Sequence, residues 1–285
     1  MPTIRKVTSE DFENVYPLLL DFNNPNLRKD DWKRLFIPPW YVEENYCGYA
    51  LFDNEKVVGF LGYIFSKRII KGNEYKFCNL SSWILKEEYR GQGLSLFYPV
   101  LDLKDYTITD FSPNDSVFKM FNKRYKFKVL ETGLVMSFPV PGIEMFQGKD
   151  KCNVFIDDQI VREDLDENDL RLYTDHIQLN CIHVLAKTAE GNCYLVAKRK
   201  RLRKLPYIEI LYIGNLTVFI KFSEIIKVKI CMKYKTVGIL IEKRHLRGNK
   251  LRCSITRLPY FRKLYKSDFL ENYLIDNMYS EKLLL

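Results

Sequence analysis

Long apolar runs are missing from this sequence of 285 residues. Nowhere do about 18 apolar residues follow one another, so no membrane-spanning helix is expected. The opening residues, MPTIRKVTSEDF, also lack the apolar segment of a secretory signal peptide. Together these absences predict a cytoplasmic protein.

Paired cysteines and a histidine-rich site are also absent. The seven cysteines are scattered singly, their number is odd, and no C-x-x-C occurs. In a chain without an export signal this pattern indicates reduced core thiols and no metal cofactor, with a single catalytic or metal-binding cysteine as the alternative. The three histidines, His176, His183 and His245, all lie in the second half. The first half therefore holds no histidine for acid–base chemistry.

Negative charge is scarce only in the C-terminal part of the chain. Residues 170–285 contain 23 Lys and Arg against 9 Asp and Glu, whereas residues 1–169 contain 22 against 27. A basic half favours a polyanionic partner such as nucleotide phosphates, nucleic acid or a membrane surface. The alternative is that lysines simply cover solvated faces.

Caps, turns and apolar periodicity divide the first half into a regular series of elements. Thr8-Ser9-Glu10-Asp11 predicts a capped helix start, and Asp53-Asn54 and Lys71-Gly72-Asn73 predict hairpin turns between three strands. The other predicted elements are a helix at Leu27–Phe36, a helix from about Ser95, a strand at Tyr106–Phe111, a helix at Asp115–Arg124 and a strand at Phe127–Phe138.

The second half partly repeats this order. Glu163–Gln178 and Val218–Tyr234 are predicted helices, and strands between them break at Glu190-Gly191-Asn192 and near Pro206. The predicted fold is α/β (α+β), a mixed sheet with flanking helices, duplicated as two lobes. We expect residues 1–140 to form one lobe, 141–151 a linker, and 152–285 a second, degenerate lobe without a glycine loop.

The stretch EEYRGQGLS places two glycines where a strand passes into a helix. The first N–H groups of a helix have no partner within it, and its dipole favours anions. Gly91 and Gly93 would let phosphate oxygens approach the backbone closely. A tight turn that needs glycine for steric reasons is the alternative.

The six residues from Arg90 to Ser95 resemble the Q/R-x-x-G-x-G/A signature of the GNAT superfamily of acyl-CoA-dependent N-acyltransferases. The resemblance covers roughly residues 3–138 and includes SVFKMFNKRYKF, which is similar to the family's A-x-x-L-Y-x-K-x-G-F. The sequence departs from the pattern at Ser95, which replaces Gly or Ala, at Pro99, which should kink the helix, and at Phe121. Phe121 stands where the family often carries a tyrosine that protonates the leaving thiolate.

The resemblance implies an acyl-coenzyme A site in the first lobe. The family would bind the coenzyme through the loop and through the strand before it, which splays from the next strand to leave a slot for the thioester. The implied coenzyme-binding residues are Trp83, Ile84, Leu85, Arg90, Gly91, Gln92, Gly93, Leu94, Ser95 and Asn114.

Acyl transfer needs a base for the amine and a proton for the leaving thiolate. Asp110, at the end of TITD, is the first candidate base, and His183 is the second. Tyr125 could replace the missing tyrosine acid, although packing in the core is the alternative. Polar side chains on the preceding strand, Asn79, Ser81 and Ser82, are the candidate substrate contacts.

The chain is also similar to two-lobe GNAT-like proteins of bacterial surface-polysaccharide pathways, on the residues DNMYSEKLLL and TITDFSPNDSVFKMF. That resemblance implies transfer to the amine of a nucleotide-linked amino sugar, with the basic second lobe binding the acceptor. The alternatives are a tandem-lobe transferase that uses aminoacyl-tRNA, a non-catalytic binding protein and an N-terminal protein acetyltransferase. Nucleic acid is the less favoured partner. Against an acceptor site in the basic lobe, Lys198–Lys204 could be an ordinary solvated hairpin or could protect an edge strand.

Overall fold

The chain divides into two compact units in the computed structural model, which describes residues 2–131, 133–140, 142, 152–157, 159–257 and 262–285. The first unit comprises Met1–Leu130, Phe261–Glu271 and Tyr279–Leu285, and the second comprises Glu131–Tyr260 and Asn272–Met278. The linear division predicted from the sequence differs, because the first unit ends earlier and includes two C-terminal segments. The predicted linker lies outside the described residues except for Gly142.

The first unit contains strands β1 to β6, helices α1 to α4, and two elements from the C-terminal part of the chain. They are β1 (Thr3–Val7), α1 (Phe12–Leu19), α2 (Lys29–Lys33), β2 (Gly48–Asp53), β3 (Lys56–Ile70), β4 (Asn73–Leu85), α3 (Gly93–Phe97), β5 (Tyr106–Asp110), α4 (Asp115–Arg124), β6 (Lys128–Val129), β14 (Leu264–Lys266) and α9 (Glu281–Leu284). The sheet order is β1-β2-β3-β4-β5-β14-β6, and only the β4–β5 pair is parallel.

The second unit repeats this arrangement. Its elements are β7 (Leu134–Ser137), β8 (Asn153–Ile156), α5 (Gln159–Glu163), α6 (Glu167–His176), β9 (Ile182–Thr188), β10 (Gly191–Leu202), β11 (Leu205–Ile213), α7 (Leu216–Lys221), α8 (Ser223–Tyr234), β12 (Ile239–Glu242) and β13 (Ser254–Arg257). The order is β13-β7-β12-β11-β10-β9-β8, with β11 and β12 parallel. The predicted mixed α/β fold with a duplicated order is confirmed.

Local sequence explains the hairpins and helix starts. Asn54-Glu55, Lys71-Gly72 and Arg203-Lys204 all have positive φ at both positions, as two-residue type I′ turns require. Thr8 and Asp11 form the predicted capping box. Asn114 caps α4 by accepting a hydrogen bond from the Val117 N–H at 2.9 Å. The turn at Lys71-Gly72 fixes the register of β3 against β4, and the Asn114 cap fixes the start of α4.

Some predicted elements differ from the observed ones. Strand β1 was not predicted, because four of its five residues are exposed and it carries no apolar alternation. The predicted strand Phe127–Phe138 is two strands that belong to different sheets. The predicted helix at Leu27–Phe36 is reduced to α2, five residues long.

Each unit has its own core. The first is built on aromatic side chains of the sheet and its helices, including Tyr63, Phe65, Phe97, Phe121 and Phe127. The second is mainly aliphatic and packs α7 and α8 against β9 to β12. Of the helices in the described parts of the chain, none is both long enough and apolar enough to cross a membrane.

Candidate active site

A β-bulge in β4 forms one wall of the candidate site. Phe60 pairs with Ile84 and Gly62 with Ser81, so Ser82 and Trp83 both face a single residue of β3. Ser82 has φ of 54°, and its hydroxyl lies 3.2 Å from that of Ser81. A bulge interrupts the alternation of a strand and redirects side chains. As a result, both serines line the same cavity.

The cavity of the candidate site exists because β4 and β5 pair over only part of their length. Their parallel ladder runs from Lys76–Tyr106 to Leu80–Asp110, and β4 continues for five more residues. A cavity of about 730 Å³ occupies this opening. Its lining residues are Phe22, Leu61, Leu80, Ser81, Ser82, Trp83, Ile84, Leu85, Arg90, Gly93, Leu94, Asp110, Ser112, Pro113, Asn114, Ser116, Val117 and Met120.

The glycine loop borders this cavity, although its local structure differs from the prediction. Residues Glu87–Gln92 form a 3-10 turn, α3 follows with five residues, and a second 3-10 turn covers Tyr98–Asp102. Pro99 lies in the second turn, directly after the short helix, as its missing N–H requires. The predicted helix from Ser95 is therefore a single α-turn that begins at Gly93.

Only part of the predicted loop lines the cavity. Gly93 and Leu94 lie on its wall, whereas Gly91, Gln92 and Ser95 are not among the lining residues. A Cβ atom on Gly93 would lie 3.2 Å from Leu85 Cδ1, but one on Gly91 would meet nothing within 4 Å. The Ser95 hydroxyl donates to the Gln92 carbonyl oxygen. Ser95 therefore stabilises the loop from within.

Arg90 supplies positive charge at the edge of the cavity. Its side chain is 71% exposed, and its guanidinium lies 3.6 Å from the Glu87 carboxylate, which is itself exposed. An exposed pair of this kind contributes little stability. The guanidinium can therefore leave Glu87 and bind a phosphate at low cost.

Trp83 offers an unsatisfied donor in the cavity wall. Its ring stacks near Phe97 and Phe121, with centroid distances of 6.1 and 5.8 Å. Its buried Nε1 has no hydrogen-bond partner. Leaving a buried donor unpaired costs roughly 1–3 kcal/mol.

Tyr125, the candidate proton donor to the thiolate, packs against the core that contains Phe121, which stands at the position of the family's tyrosine. Phe121 is fully buried, with its ring 4.4 Å from Phe97 and 4.8 Å from Phe127. Tyr125 packs edge-on against Phe97 at 4.8 Å and is not a lining residue of the cavity. The alternative of core packing is the one that these contacts favour for Tyr125.

Asp110 lies at the end of β5, on the cavity wall. Its Oδ1 accepts a hydrogen bond from the Ser112 N–H at 3.2 Å. Burial, together with the nearby carboxyl of Glu281, raises the pKa of Asp110 well above its usual value. A carboxyl group with a raised pKa is suited to general acid–base catalysis near neutral pH.

Sequence reasoning missed Glu281. This residue lies in α9, and its Oε1 accepts a hydrogen bond of 2.8 Å from the Ser112 hydroxyl. Burial raises the pKa of its carboxyl group. Its N–H also donates to Asn79 Oδ1 at 3.3 Å, while Asn79 Nδ2 donates to Thr109 Oγ1 at 3.0 Å. Asn79 therefore joins α9 to β5 through hydrogen bonds and does not line the cavity. The segment DNMYSEKLLL was noticed in the sequence, but no local pattern places it beside β5.

His183 belongs to the second unit. Its Nδ1 lies 2.7 Å from the Tyr194 hydroxyl, and its ring packs edge-on against Tyr173 at 4.8 Å. Burial lowers the pKa of His183 to about 4. These contacts are those of a neutral core histidine, and its predicted role as a base stays a prediction.

The division into units changes the charge asymmetry seen in the sequence. The first unit contains 23 Lys and Arg against 20 Asp and Glu, and the second contains 22 against 16. Residues 170–285 carry an excess of 14 positive charges, but the second unit carries an excess of only 6, because it also includes acidic residues before residue 170. The predicted acceptor-binding role of the second lobe thus loses much of its electrostatic support and stays a prediction.

Several solved structures of N-acetyltransferases have a fold similar to that of this chain. The GCN5-related N-acetyltransferase of Anabaena variabilis has a similar structure, with a TM-score of 0.59 and 10% identity over 93% of this chain and 72% of the other. The GCN5-related N-acetyltransferase of Kribbella flavida has a TM-score of 0.59 and 10% identity, and the match covers 93% of this chain and 70% of the other. A glucosamine N-acetyltransferase region of a fungal multi-domain β-N-acetylglucosaminidase has a TM-score of 0.56 and 13% identity. That match covers 93% of this chain and 38% of the other. The sequence matches no protein-family model and no curated protein.

Proposed function

We propose that the protein transfers an acyl group from acyl-coenzyme A to an amine. The observation that carries this proposal is the cavity at the open end of the β4–β5 pair, with Arg90 at its edge and Gly93 in its wall. Neighbours with the same fold are N-acetyltransferases, which favours the same chemistry here.

Each part of the coenzyme has residues suited to it. The exposed Arg90 guanidinium and the backbone at Gly93 suit the pyrophosphate. The end of β4 that extends beyond its pairing with β5 offers backbone groups on that side to the pantetheine amides. The bulge at Ser82 and the free Trp83 Nε1 supply donors for the thioester carbonyl. No metal takes part in this proposal.

We further propose that the acceptor is a nucleotide-linked amino sugar of a cytoplasmic surface-polysaccharide pathway. The support is the resemblance of DNMYSEKLLL and TITDFSPNDSVFKMF, the residues that carry Glu281 and Asp110. The glucosamine N-acetyltransferase region among the structural neighbours agrees with an amino sugar.

The first test is isothermal titration of the purified protein with coenzyme A, followed by thiol release from acetyl-CoA. The acceptors compared are a UDP-linked amino sugar, free glucosamine and a peptide with a free N-terminus. We expect coenzyme binding, and thiol release fastest with the UDP-linked sugar. Absence of coenzyme binding would refute acyl transfer, and preference for the peptide would refute the sugar.

A second test addresses RNA as the partner. Lys198 to Arg201 lie near the end of the β10–β11 hairpin, where Lys200 contacts Glu209 at 2.6 Å and Arg199 lies over the Tyr234 ring. Changing Lys198, Arg199, Lys200 and Arg201 together to glutamine should leave sugar kinetics unchanged. Tight, salt-sensitive tRNA retention on filters, lost in this variant, would instead favour an aminoacyl-tRNA user.

A further inference from the structure

A second, smaller cavity lies beside the first. Its volume is about 270 Å³. It shares Phe22, Ser81, Ser82 and Ser112 with the larger cavity, so the two spaces meet at the β4 bulge. Its other lining residues are Asn24, Leu27, Trp32, Glu281 and Leu285. A space of this size holds a small polar group and not a second coenzyme.

Glu281 lines this cavity and carries an unused carboxylate oxygen. The residue is 7% exposed, and its Oε1 is occupied by the Ser112 hydroxyl. Its Oε2 is buried and has no hydrogen-bond partner. A buried carboxylate oxygen without a donor is costly, so a donor from a ligand would stabilise it.

Ser112 connects the two cavities chemically. Its N–H donates to Asp110, which lines the larger cavity, and its hydroxyl donates to Glu281, which lines the smaller one. The positive charges of Lys282 and Lys263 act on the pKa of the Glu281 carboxyl group in the direction opposite to burial and lower it. Glu281 lies close enough to Asp110 for its charge to add to the effect of burial, and both raise the pKa of Asp110.

Part of the wall of the smaller cavity is aromatic, formed by Phe22 and Trp32. The rings of Phe22 and Trp32 are stacked, with centroids 5.6 Å apart and planes 22° from parallel. Such a wall suits the carbon atoms next to an amine, for example those of a sugar ring. An anionic group would meet Glu281 and be repelled, which excludes phosphate from this position.

We propose that the smaller cavity is the acceptor subsite, that it takes a primary amine attached to a compact carbon skeleton, and that Glu281 receives the proton of that amine. The inference rests on the proposed function and names the acceptor's reacting group and its base. The amine nitrogen forms a bond to the thioester carbonyl carbon, the carbon–sulfur bond breaks, and the coenzyme leaves as thiolate. The proton lost by nitrogen passes through Glu281 to the thiolate, so the products are an amide and a free thiol.

The test compares Glu281→Gln with Glu271→Gln, an exposed carboxylate of the same unit. Glutamine keeps an oxygen for the Ser112 hydroxyl and removes the charge. Free glucosamine is titrated while the Trp32 indole N–H signal is followed by NMR, a readout that needs no turnover. We expect saturable shifts in the wild type and in Glu271→Gln, and at least tenfold weaker binding in Glu281→Gln.

Thiol release from acetyl-CoA with glucosamine gives the second readout. Glu281→Gln should lose about a hundredfold in rate or more, with an unchanged dissociation constant for coenzyme A and an unchanged unfolding midpoint. Equal glucosamine binding or equal rates in both variants would overturn the inference. If the wild type binds no coenzyme A, the proposed function fails, and the Trp32 titration still decides whether the amine subsite exists.

Discussion

The hydroxyl of Ser112 donates a hydrogen bond of 2.8 Å to Glu281, a residue 169 positions further along the chain. Through Ser112, the end of β5 and α9 share one polar group. That group contains two carboxyl groups with raised pKa values, and it adjoins both cavities.

The buried pair should make stability depend on pH. Because the folded pKa of Asp110 is raised above its unfolded value, the native state binds more protons, and this group lowers stability as pH rises through that interval. Asp110→Asn should therefore be more stable than the wild type at pH 8, with the difference shrinking towards pH 4. Urea unfolding at both pH values measures this. Asp115→Asn, at an exposed carboxylate on α4, is the control and should show no such trend.

The two glycines of the loop should respond differently to substitution. Gly93→Val places a branched side chain against Leu85 inside the cavity, so coenzyme A should bind at least tenfold more weakly. Gly91→Ala adds a methyl group in open space and should bind normally. Isothermal titration of both variants decides the matter. Unchanged affinity in Gly93→Val would mean that the loop is only a turn.

Tyr125 should be dispensable as an acid. Its ring packs in the core and is not part of the cavity wall. Tyr125→Phe should therefore reduce the turnover rate less than tenfold, which corresponds to about 1.4 kcal/mol in the barrier. Steady-state kinetics with saturating acetyl-CoA test this. A thousandfold loss in a variant with an unchanged unfolding midpoint would identify Tyr125 as the acid.

Lys227 should be essential for the stability of the second unit. It is fully buried, and its ammonium donates to Ser137 Oγ, Phe138 O and Arg252 O at 2.9, 3.0 and 3.0 Å and contacts Glu224 at 2.7 Å. Lys227→Met removes these bonds and leaves Glu224 without its cation, which should cost about 3–5 kcal/mol.

Chemical unfolding measures this cost, and Lys229→Met, at an exposed position of the same helix, should change stability little. Equal stabilities of the two variants would contradict the expectation.

The sequence predicted the parts of the fold that depend on neighbouring residues. The hairpin turns at Asn54 and Lys71, the capping box at Thr8 and the strand before the glycine loop are all encoded locally. The bulge at Ser82 was not predictable, because it depends on how β3 pairs with β4. Neither was Glu281, since no local signal brings a residue near the end of the sequence next to β5.

The position of β14 has a consequence for the order in which the protein is made. Strand β14 lies between β5 and β6 in the first sheet, and β6 pairs with no other strand among the described residues. During synthesis on the ribosome, about 130 residues must emerge after β6 before β14 appears. The nascent first sheet must wait through that interval with an unpaired strand edge on β5. The candidate site is complete only after α9, which carries Glu281, has also been made.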